Sequence, residues 1–332
     1  MSAQIPTPRG PLSSAVVTAL RTRPGDGVPA VPVDDADPFG EDLAVALHTC
    51  YELHYRGFDG VDPDWEWDPD LLRLRQQLER AFEHALRTAV DGGDAVTDVL
   101  DELLVETVPG DGVSHFLRDH GHWGQFREYL VHRSIYHLKE ADPHAWVIPR
   151  LQGQAKASLV AVEFDEFGGG HGDRMHSQLY ADLLDASGLD SGYLRYFDQV
   201  PAPIIAIVNL MSMLGLHRRL RGGLVGHFAA AEITTAPSAH RLAKALEGWG
   251  GGPRSTHFFT EHVEADAVHE QVLRNDVVGS LLVSEPELAG DVVFGVQATE
   301  LLEARLSALL LDSWRAEESS LREPLADHPG PA

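Results

Sequence analysis

The sequence contains a single cysteine, Cys50, among its 332 residues. One thiol cannot form an intrachain disulfide or a thiolate cluster, so iron–sulfur and cysteine-rich zinc sites are excluded. Cys50 lies in a helical pattern of apolar residues, which is typical of a core cysteine and not of a nucleophile. A Gly-x-Ser-x-Gly elbow is also missing. Nucleophilic catalysis therefore has little support.

Basic residues and long apolar runs are scarce as well. There are 26 Lys and Arg against 51 Asp and Glu, a formal charge of −25, which argues against nucleic acid or an anionic membrane as a partner. The apolar run 203–216 is interrupted by Asn209 and Ser212 and is too short to span a bilayer. Residues 1–30 lack the apolar segment of a signal peptide. We expect a soluble, cytoplasmic protein that acts on a small molecule.

Strand-like alternation is almost absent, apart from short Val-rich pieces near Val277 and Val292. Apolar residues instead recur at spacings of three and four over most of the chain, and 43% of all residues are hydrophobic. The sequence thus predicts an all-α protein with a single core over residues 39–315. Helices in 39–115 are expected to be accessory to this core. Residues 1–38 are expected to be a loosely ordered arm and residues 316–332 a flexible tail.

The predicted helices that carry polar motifs are bounded mainly by Pro and Gly. They cover residues 123–140, 146–164, 173–186, 220–235, 238–249 and 258–273. Gly168-Gly169-Gly170 lacks both a following Lys-Ser/Thr and a preceding strand, so a phosphate loop is disfavoured. We expect these glycines to end one helix and to let backbone pass close to another.

The most informative motif is His262-x3-Asp266-x2-His269. In a helix with about 100° per residue, Asp266 lies about 40° and His269 about 20° from His262 around the axis. Two imidazoles and a carboxylate therefore share one face over about ten ångströms. One helix cannot complete a metal site, so the motif needs carboxylates and histidines from other helices.

Upstream segments offer such groups. His176 neighbours an apolar stripe and is predicted to face inward, and Glu232 lies on a small, apolar helix face where a charge needs a partner. Considered by itself, the acidic run Glu163–Glu166 is typical of a solvated helix end. Hydrogen bonding in the core would explain His176 or Glu232 taken singly. Considered together with the His-Asp-His helix, they favour a metal site.

These residues and the sequence segments around them resemble those of the heme-oxygenase-like diiron oxidases and oxygenases, also called iron-containing redox enzymes. The resemblance covers roughly residues 120–275. It rests on Leu-Lys-Glu-Ala-Asp-Pro-His at 138–144, Asp-Glu-Phe-Gly-Gly-Gly at 165–170, Arg-Met-His at 174–176 and Glu-His-Val-Glu-Ala-Asp-Ala-Val-His at 261–269.

The resemblance implies a bundle of about seven core helices, with extra N-terminal helices, around a nonheme diiron centre. Two Fe(II) ions would be the cofactor and O2 the cosubstrate. The implied metal ligands are Glu140, Glu166, His176, Glu232, His262, Asp266 and His269. Glu140 and His176 would serve one iron, Glu232 would bridge or cap, and Glu166 and Glu232 would take part in catalysis. The four carboxylates and three neutral imidazoles would balance the charge of two Fe(II) ions.

Glu166 matches an additional carboxylate of the N-oxygenating branch of that family. The expected function is therefore oxygenation of an amine or amino-acid-derived nitrogen, with an external electron donor. Oxidative C–C cleavage of a fatty acid or amino acid to an alkene is a second hypothesis, and a noncatalytic helical metal-binding or scaffold protein is a third. Family members commonly form homodimers. Polar residues near the motifs that could contact substrate are Tyr180, His171, Arg174, His227 and Glu261.

Overall fold

In the computed structural model, residues 3–106, 108–326, 328 and 330 are described, with the side chains of 264–267 excepted. Within these residues the chain forms α-helices, short 3-10 turns and one π-helical segment, and it contains no β-strand. The predicted all-α class is thus confirmed. None of the helices in these ranges is long and apolar enough to cross a membrane.

Seven helices precede residue 150 and seven follow it in the described chain. The first set is α1 (Pro11–Leu20), α2 (Glu41–Glu52), α3 (Pro69–Ala89), α4 (Val96–Leu103), α5 (Val113–Asp119), α6 (Trp123–His137) and α7 (Asp142–Ala145). The second set is α8 (Gly153–Glu166), α9 (His176–Ala186), α10 (Ala202–Leu216), α11 (Arg221–Gly248), α12 (Pro253–Gln271), α13 (Ser280–Ser284) and α14 (Ala289–Arg315). The π-helical segment, Val272–Gly279, joins α12 to α13.

The N-terminal segment is more regular than its Pro- and Gly-rich composition suggests. It contains α1, which buries Leu12, Val16 and Leu20 and packs on α2. The Asp42 carboxylate accepts hydrogen bonds from the Leu12 and Ser13 backbone N–H groups at the start of α1. A partner distant in sequence therefore caps this helix, which a local pattern cannot reveal.

Helix α11 continues through Pro237, where two separate helices are predicted. Proline removes one backbone hydrogen bond and normally ends or kinks a helix. The packing of α11 against both α12 and α14 supplies the stabilisation that local propensity lacks.

The Val-rich pieces, for which the sequence suggests short strands, are helical because of tertiary packing as well. Val277 lies in the π-helical segment and Val292 in α14, and both side chains are fully buried.

Glycines allow α11 and α14 to approach closely. A Cβ on Gly226 would collide with the Val292 carbonyl oxygen, and a Cβ on Gly295 would collide with the Gly223 carbonyl oxygen. The close contact fixes the position of α11, which carries His227 and Glu232.

A buried ion pair connects α2 to the end of α6. Lys139 Nζ lies 3.2 Å from Glu52 Oε2, and both side chains are almost completely buried. Tyr193 Oη donates a hydrogen bond to the same carboxylate oxygen at 2.8 Å. The ammonium group also lies 4.3 Å from the centre of the Tyr55 ring. These contacts hold the backbone directly before Glu140.

We predict that Gly226→Ala lowers the free energy of unfolding by about 1–3 kcal/mol, because the new methyl group forces α11 and α14 apart. Gly248→Ala in the same helix is the matched control. A Cβ there meets nothing within 4 Å, so helix propensity should stabilise the protein by about 0.5–1 kcal/mol. Denaturant unfolding of both variants measures the difference. Equal stability of the two variants would contradict the proposed contact.

Candidate metal centre

Six of the seven sequence-predicted ligands form two adjacent groups in the interior. Within each group, the candidate ligand atoms lie within 4.8 Å of one another. The first group consists of Glu140, His176 and His262, and the second of Glu166, Glu232 and His269. We call them the first triad and the second triad. The seventh residue, Asp266, lies in α12, but its side chain is outside the described part of the structure.

Turns in the backbone position Glu140, Glu166 and His176. Glu140 lies in the turn after α6, three residues beyond His137, and the next residue, Ala141, has φ 76° and ψ −36°, a strained conformation for a residue with a Cβ. Glu166 ends α8, and Gly168 then takes φ 74° so that the chain reverses. A Cβ on Gly168 would lie 2.6 Å from the Met175 backbone nitrogen. The reversal puts His176, the first residue of α9, beside Glu166.

Two helices supply the other three candidate ligands. Glu232 projects from α11, and His262 and His269 project from α12. Seven residues of helix separate these histidines by about 10 Å along the axis. The two histidines of the predicted face therefore belong to different triads, His262 to the first and His269 to the second.

Glu166 contacts both triads. Its Oε2 atom lies 2.7 Å from His176 Nδ1, and its Oε1 atom lies 3.4 Å from His269 Nδ1. Glu232 Oε2 lies 3.1 Å from His269 Nδ1, and the rings of His176 and His262 are 4.4 Å apart. The Glu166 carboxylate thus links the two triads.

Hydrogen bonds orient the imidazole ligands. His262 Nδ1 donates to the Phe258 carbonyl oxygen at 2.7 Å, which directs Nε2 to the ligand position. His269 Nε2 lies 3.3 Å from Asp165 Oδ2, so Nδ1 faces Glu232 and Glu166. His137 Nδ1 lies 3.0 Å from Glu140 Oε1. Sequence reasoning missed the roles of Phe258, Asp165 and His137. The i, i+4 spacing of Phe258 and His262 was the one local signal that could have indicated such a contact.

The residues present fit a pair of divalent metal ions. Glu140 Oε2, Glu166 Oε1 and His176 Nδ1 are buried without a hydrogen-bond partner in the described structure. His176 Nδ1 lies at 2.7 Å from Glu166 Oε2 without hydrogen-bond geometry, as expected for two atoms that point to a common third position. Mixed carboxylate and imidazole donors suit iron, manganese and zinc.

The electrostatics show how the metal-free site balances its charge. Burial opposes protonation of His269, but the carboxylates of Glu166 and Glu232 outweigh it and raise the pKa of His269 to about 11. Burial opposes ionisation of Glu166, yet close contacts with His176 and His269 lower its pKa to about 2. The pKa of Glu232 is raised, first by burial and then by the charge of Glu166. The carboxylates of Glu166 and Glu232 thus favour a positive charge at His269.

Glu163, one turn before Glu166, is not solvated as the sequence predicts for this helix end. Its side chain is buried, and neither carboxylate oxygen has a hydrogen-bond partner in the described structure. Burial, followed by the charges of Glu166 and Glu232, raises its pKa well above the ordinary value. Burial thus disfavours the ionised form of Glu163.

The five proposed substrate contacts have different environments. Tyr180 is buried and donates its hydroxyl to the Leu130 carbonyl oxygen, a structural role. His171 and Arg174 are exposed, and Glu261 is partly buried on α12. His227 lines a cavity of about 450 Å³ that also touches His137 and His262.

Residues 127–304 match the sequence profile of the family described as iron-containing redox enzymes. The chain belongs to this family. The match confirms the resemblance, and it includes both triads. As an iron-containing redox enzyme, the protein is an oxidoreductase, and the carboxylate and imidazole triads are its candidate iron ligands.

A curated relative of this iron-containing redox enzyme is the nitrosourea synthase of Streptomyces achromogenes subsp. streptozoticus. The two sequences are 26% identical over 177 residues, which is 53% of this chain and 38% of the relative. The aligned segment is therefore less than half of the relative's length. A solved domain of unknown function from Shewanella denitrificans OS217, described as having a heme oxygenase-like fold, aligns with a TM-score of 0.48 and 17% identity, covering 67% of this chain and 90% of that chain.

We predict that each triad holds one metal ion. Anaerobic titration with Fe(II) should load two equivalents, while His176→Ala and Glu232→Ala should each retain about one, because each removes a ligand from a different triad. His171→Ala is the control, since this exposed histidine lies close in sequence to His176 but outside both triads. Fewer than two equivalents in the unaltered protein, or no loss in both triad variants, would contradict the assignment.

Metal affinity should rise with pH. The pKa of His269 is about 11 in the metal-free protein, so at pH 7 the imidazole is protonated and a metal must displace that proton. One proton released when the second triad binds its metal corresponds to about a tenfold gain in that affinity per pH unit. Competition titrations between pH 6 and 8 measure this slope. A pH-independent affinity would show that His269 is not a protonated ligand.

Proposed function

We propose that the protein is a nonheme diiron oxygenase that uses O2 to oxygenate an amine nitrogen. The observation that carries the proposal is the position of Glu166, whose two carboxylate oxygens reach His176 of the first triad and His269 of the second. The two triads lie close enough for one carboxylate to serve two metals. Two adjacent metals with open positions are what O2 activation requires.

The cavity beside the first triad supports an amine over a fatty acid. It is lined by four carboxylates and two guanidinium groups, which leaves a net formal charge of −2. Apolar side chains, among them Ile207, Leu242 and Phe258, line the rest of the cavity. The name of the relative, nitrosourea synthase, also supports nitrogen chemistry.

The overall reaction converts an amine, O2, two electrons and two protons into a hydroxylamine and water. One N–O bond forms, the O–O bond breaks, and an external electron donor supplies the two electrons. The iron ions would supply reversible redox chemistry and open positions for O2. The protein would hold the ligands, with Asp165 and the Phe258 carbonyl orienting His269 and His262.

The test is oxygen incorporation from labelled O2. Fe(II)-loaded protein with a chemical reductant should add one labelled oxygen atom to an amine drawn from a panel of lysine, arginine and simple diamines, as read by product mass. Glu166→Gln should abolish incorporation, because it weakens the carboxylate that contacts both triads. Asp173→Asn, an exposed acid seven residues away, should not.

Two outcomes would contradict the proposal. Alkene formation from a fatty acid or amino acid, without a labelled amine product, would favour C–C cleavage. Two bound irons with no O2 consumption in the presence of any panel member would favour a noncatalytic metal-binding protein.

A further inference from the structure

One side of the cavity is formed by a single face of α6. Between residues 129 and 137, the side chains of this helix that retain accessible surface are Tyr129, Arg133, Tyr136 and His137. All four line the cavity, and the helix residues between them are buried. Their spacing of four, three and one residues places them on one face of the helix. The accessible part of these side chains therefore opens into the cavity.

Tyr136 brings an unpaired hydroxyl group to this face. Arg133, one turn earlier, donates two hydrogen bonds to Glu303, at 2.7 and 2.6 Å, so its charge is matched within the wall. The Tyr136 hydroxyl has no hydrogen-bond partner in the described structure and, unlike the Arg133 Nε atom, it is not sealed off by protein atoms. A ligand in the cavity can therefore reach this hydroxyl, which can both donate and accept a hydrogen bond.

Tyr136 lies next to the metal centre. Its ring stacks on the His137 ring at 4.6 Å, and His137 Nδ1 lies 3.0 Å from Glu140 Oε1 of the first triad. Burial, and then the charges of Glu140 and Glu232, raise the pKa of Tyr136 well above its ordinary value. The side chain is thus a neutral phenol that senses a carboxylate of each triad. A ligand that contacts it lies beside the candidate metal ligands.

Aromatic rings continue from Tyr136 to α12. The rings of His137 and Phe258 are 5.0 Å apart, those of Phe258 and Phe259 are 5.3 Å apart, and all three residues line the cavity. The faces of Tyr and Phe rings attract a cation that lies within about 6 Å of the ring centre. The net charge of the cavity lining is negative as well. Both features favour a positively charged nitrogen beside Tyr136.

We propose that Tyr136 recognises the amine group of the substrate, with its hydroxyl oxygen accepting a hydrogen bond from a substrate N–H group. The neighbouring rings hold the positive charge. The proposal rests on the proposed function in taking this cavity, which touches His262, as the substrate site. It narrows the substrate class to amines that carry at least one N–H, as opposed to quaternary ammonium compounds. Tyr136 is then a specificity-determining residue.

A cycle of two ligands and two protein forms tests this contact. Tyr136→Phe removes the hydroxyl and keeps the ring. The probes are 1-aminopentane and pentyltrimethylammonium, which share a chain and a positive charge, but only the first has N–H groups. Calorimetry with anaerobic, Fe(II)-loaded protein measures binding without turnover. We expect Tyr136→Phe to weaken 1-aminopentane about tenfold and to change the affinity for pentyltrimethylammonium by less than about twofold.

Tyr180→Phe is the matched control. The Tyr180 hydroxyl donates to the Leu130 carbonyl oxygen, and Tyr180 is not among the residues that line the cavity. Loss of this buried hydrogen bond should lower the melting temperature and leave the affinity for both ligands unchanged. Because the Tyr136 hydroxyl has no partner to lose, Tyr136→Phe should keep the melting temperature of the unaltered protein.

Three results would overturn the recognition proposal. They are equal weakening of both ligands by Tyr136→Phe, an unchanged affinity for 1-aminopentane in this variant, and no binding of 1-aminopentane to the unaltered protein up to about 10 mM. Labelled oxygen in an amine would then still support the proposed function. Conversely, the expected cycle with no oxygenation of any amine overturns the function and leaves Tyr136 as an amine-binding residue.

Discussion

The interior of this protein must accommodate carboxylates that burial makes costly to ionise. Glu140, Glu166 and Glu232 lie among three imidazoles in a region from which water is largely excluded. Their charges require compensation, since an unpaired buried carboxylate would neutralise itself by a shift in pKa. The proton held by His269 supplies part of that compensation in the metal-free protein. Divalent ions would supply it more completely, and so the same residues that destabilise an empty site would bind metal strongly.

Backbone geometry brings these groups together. The glycine turn after α8 sets Glu166 against His176, and the strained Ala141 follows Glu140. The glycine contact between α11 and α14 fixes the helix that carries Glu232 and His227. The close α11–α14 contact therefore serves two purposes. It positions one metal ligand, and it brings Thr299 Oγ1 to 2.8 Å from His227 Nδ1.

Local periodicity was sufficient to predict the helical class, and the spacing of His262 and His269 was sufficient to predict that both lie on one helix and face candidate metal groups. Resemblance to a family added Glu140 and Glu166, which no spacing indicates. The partners of these ligands could not be predicted, because Asp165 and His137 reach His269 and Glu140 only after folding. Similarly, α11 passes through Pro237 because tertiary packing overrides local propensity, and α1 begins where Asp42, distant in sequence, caps it.

The Lys139–Glu52 pair would be broken in a fragment restricted to the region that matches the family. The matched region, residues 127–304, includes Lys139 but not α2, which provides its counter-ion. A fragment restricted to that region would leave an ammonium group buried beside Glu140 with its carboxylate removed, a cost of about 3–5 kcal/mol for a broken buried pair. Helix α2 thus belongs electrostatically to the same folded unit as the matched region. The boundaries of the matched region and of the folding unit do not coincide in this chain.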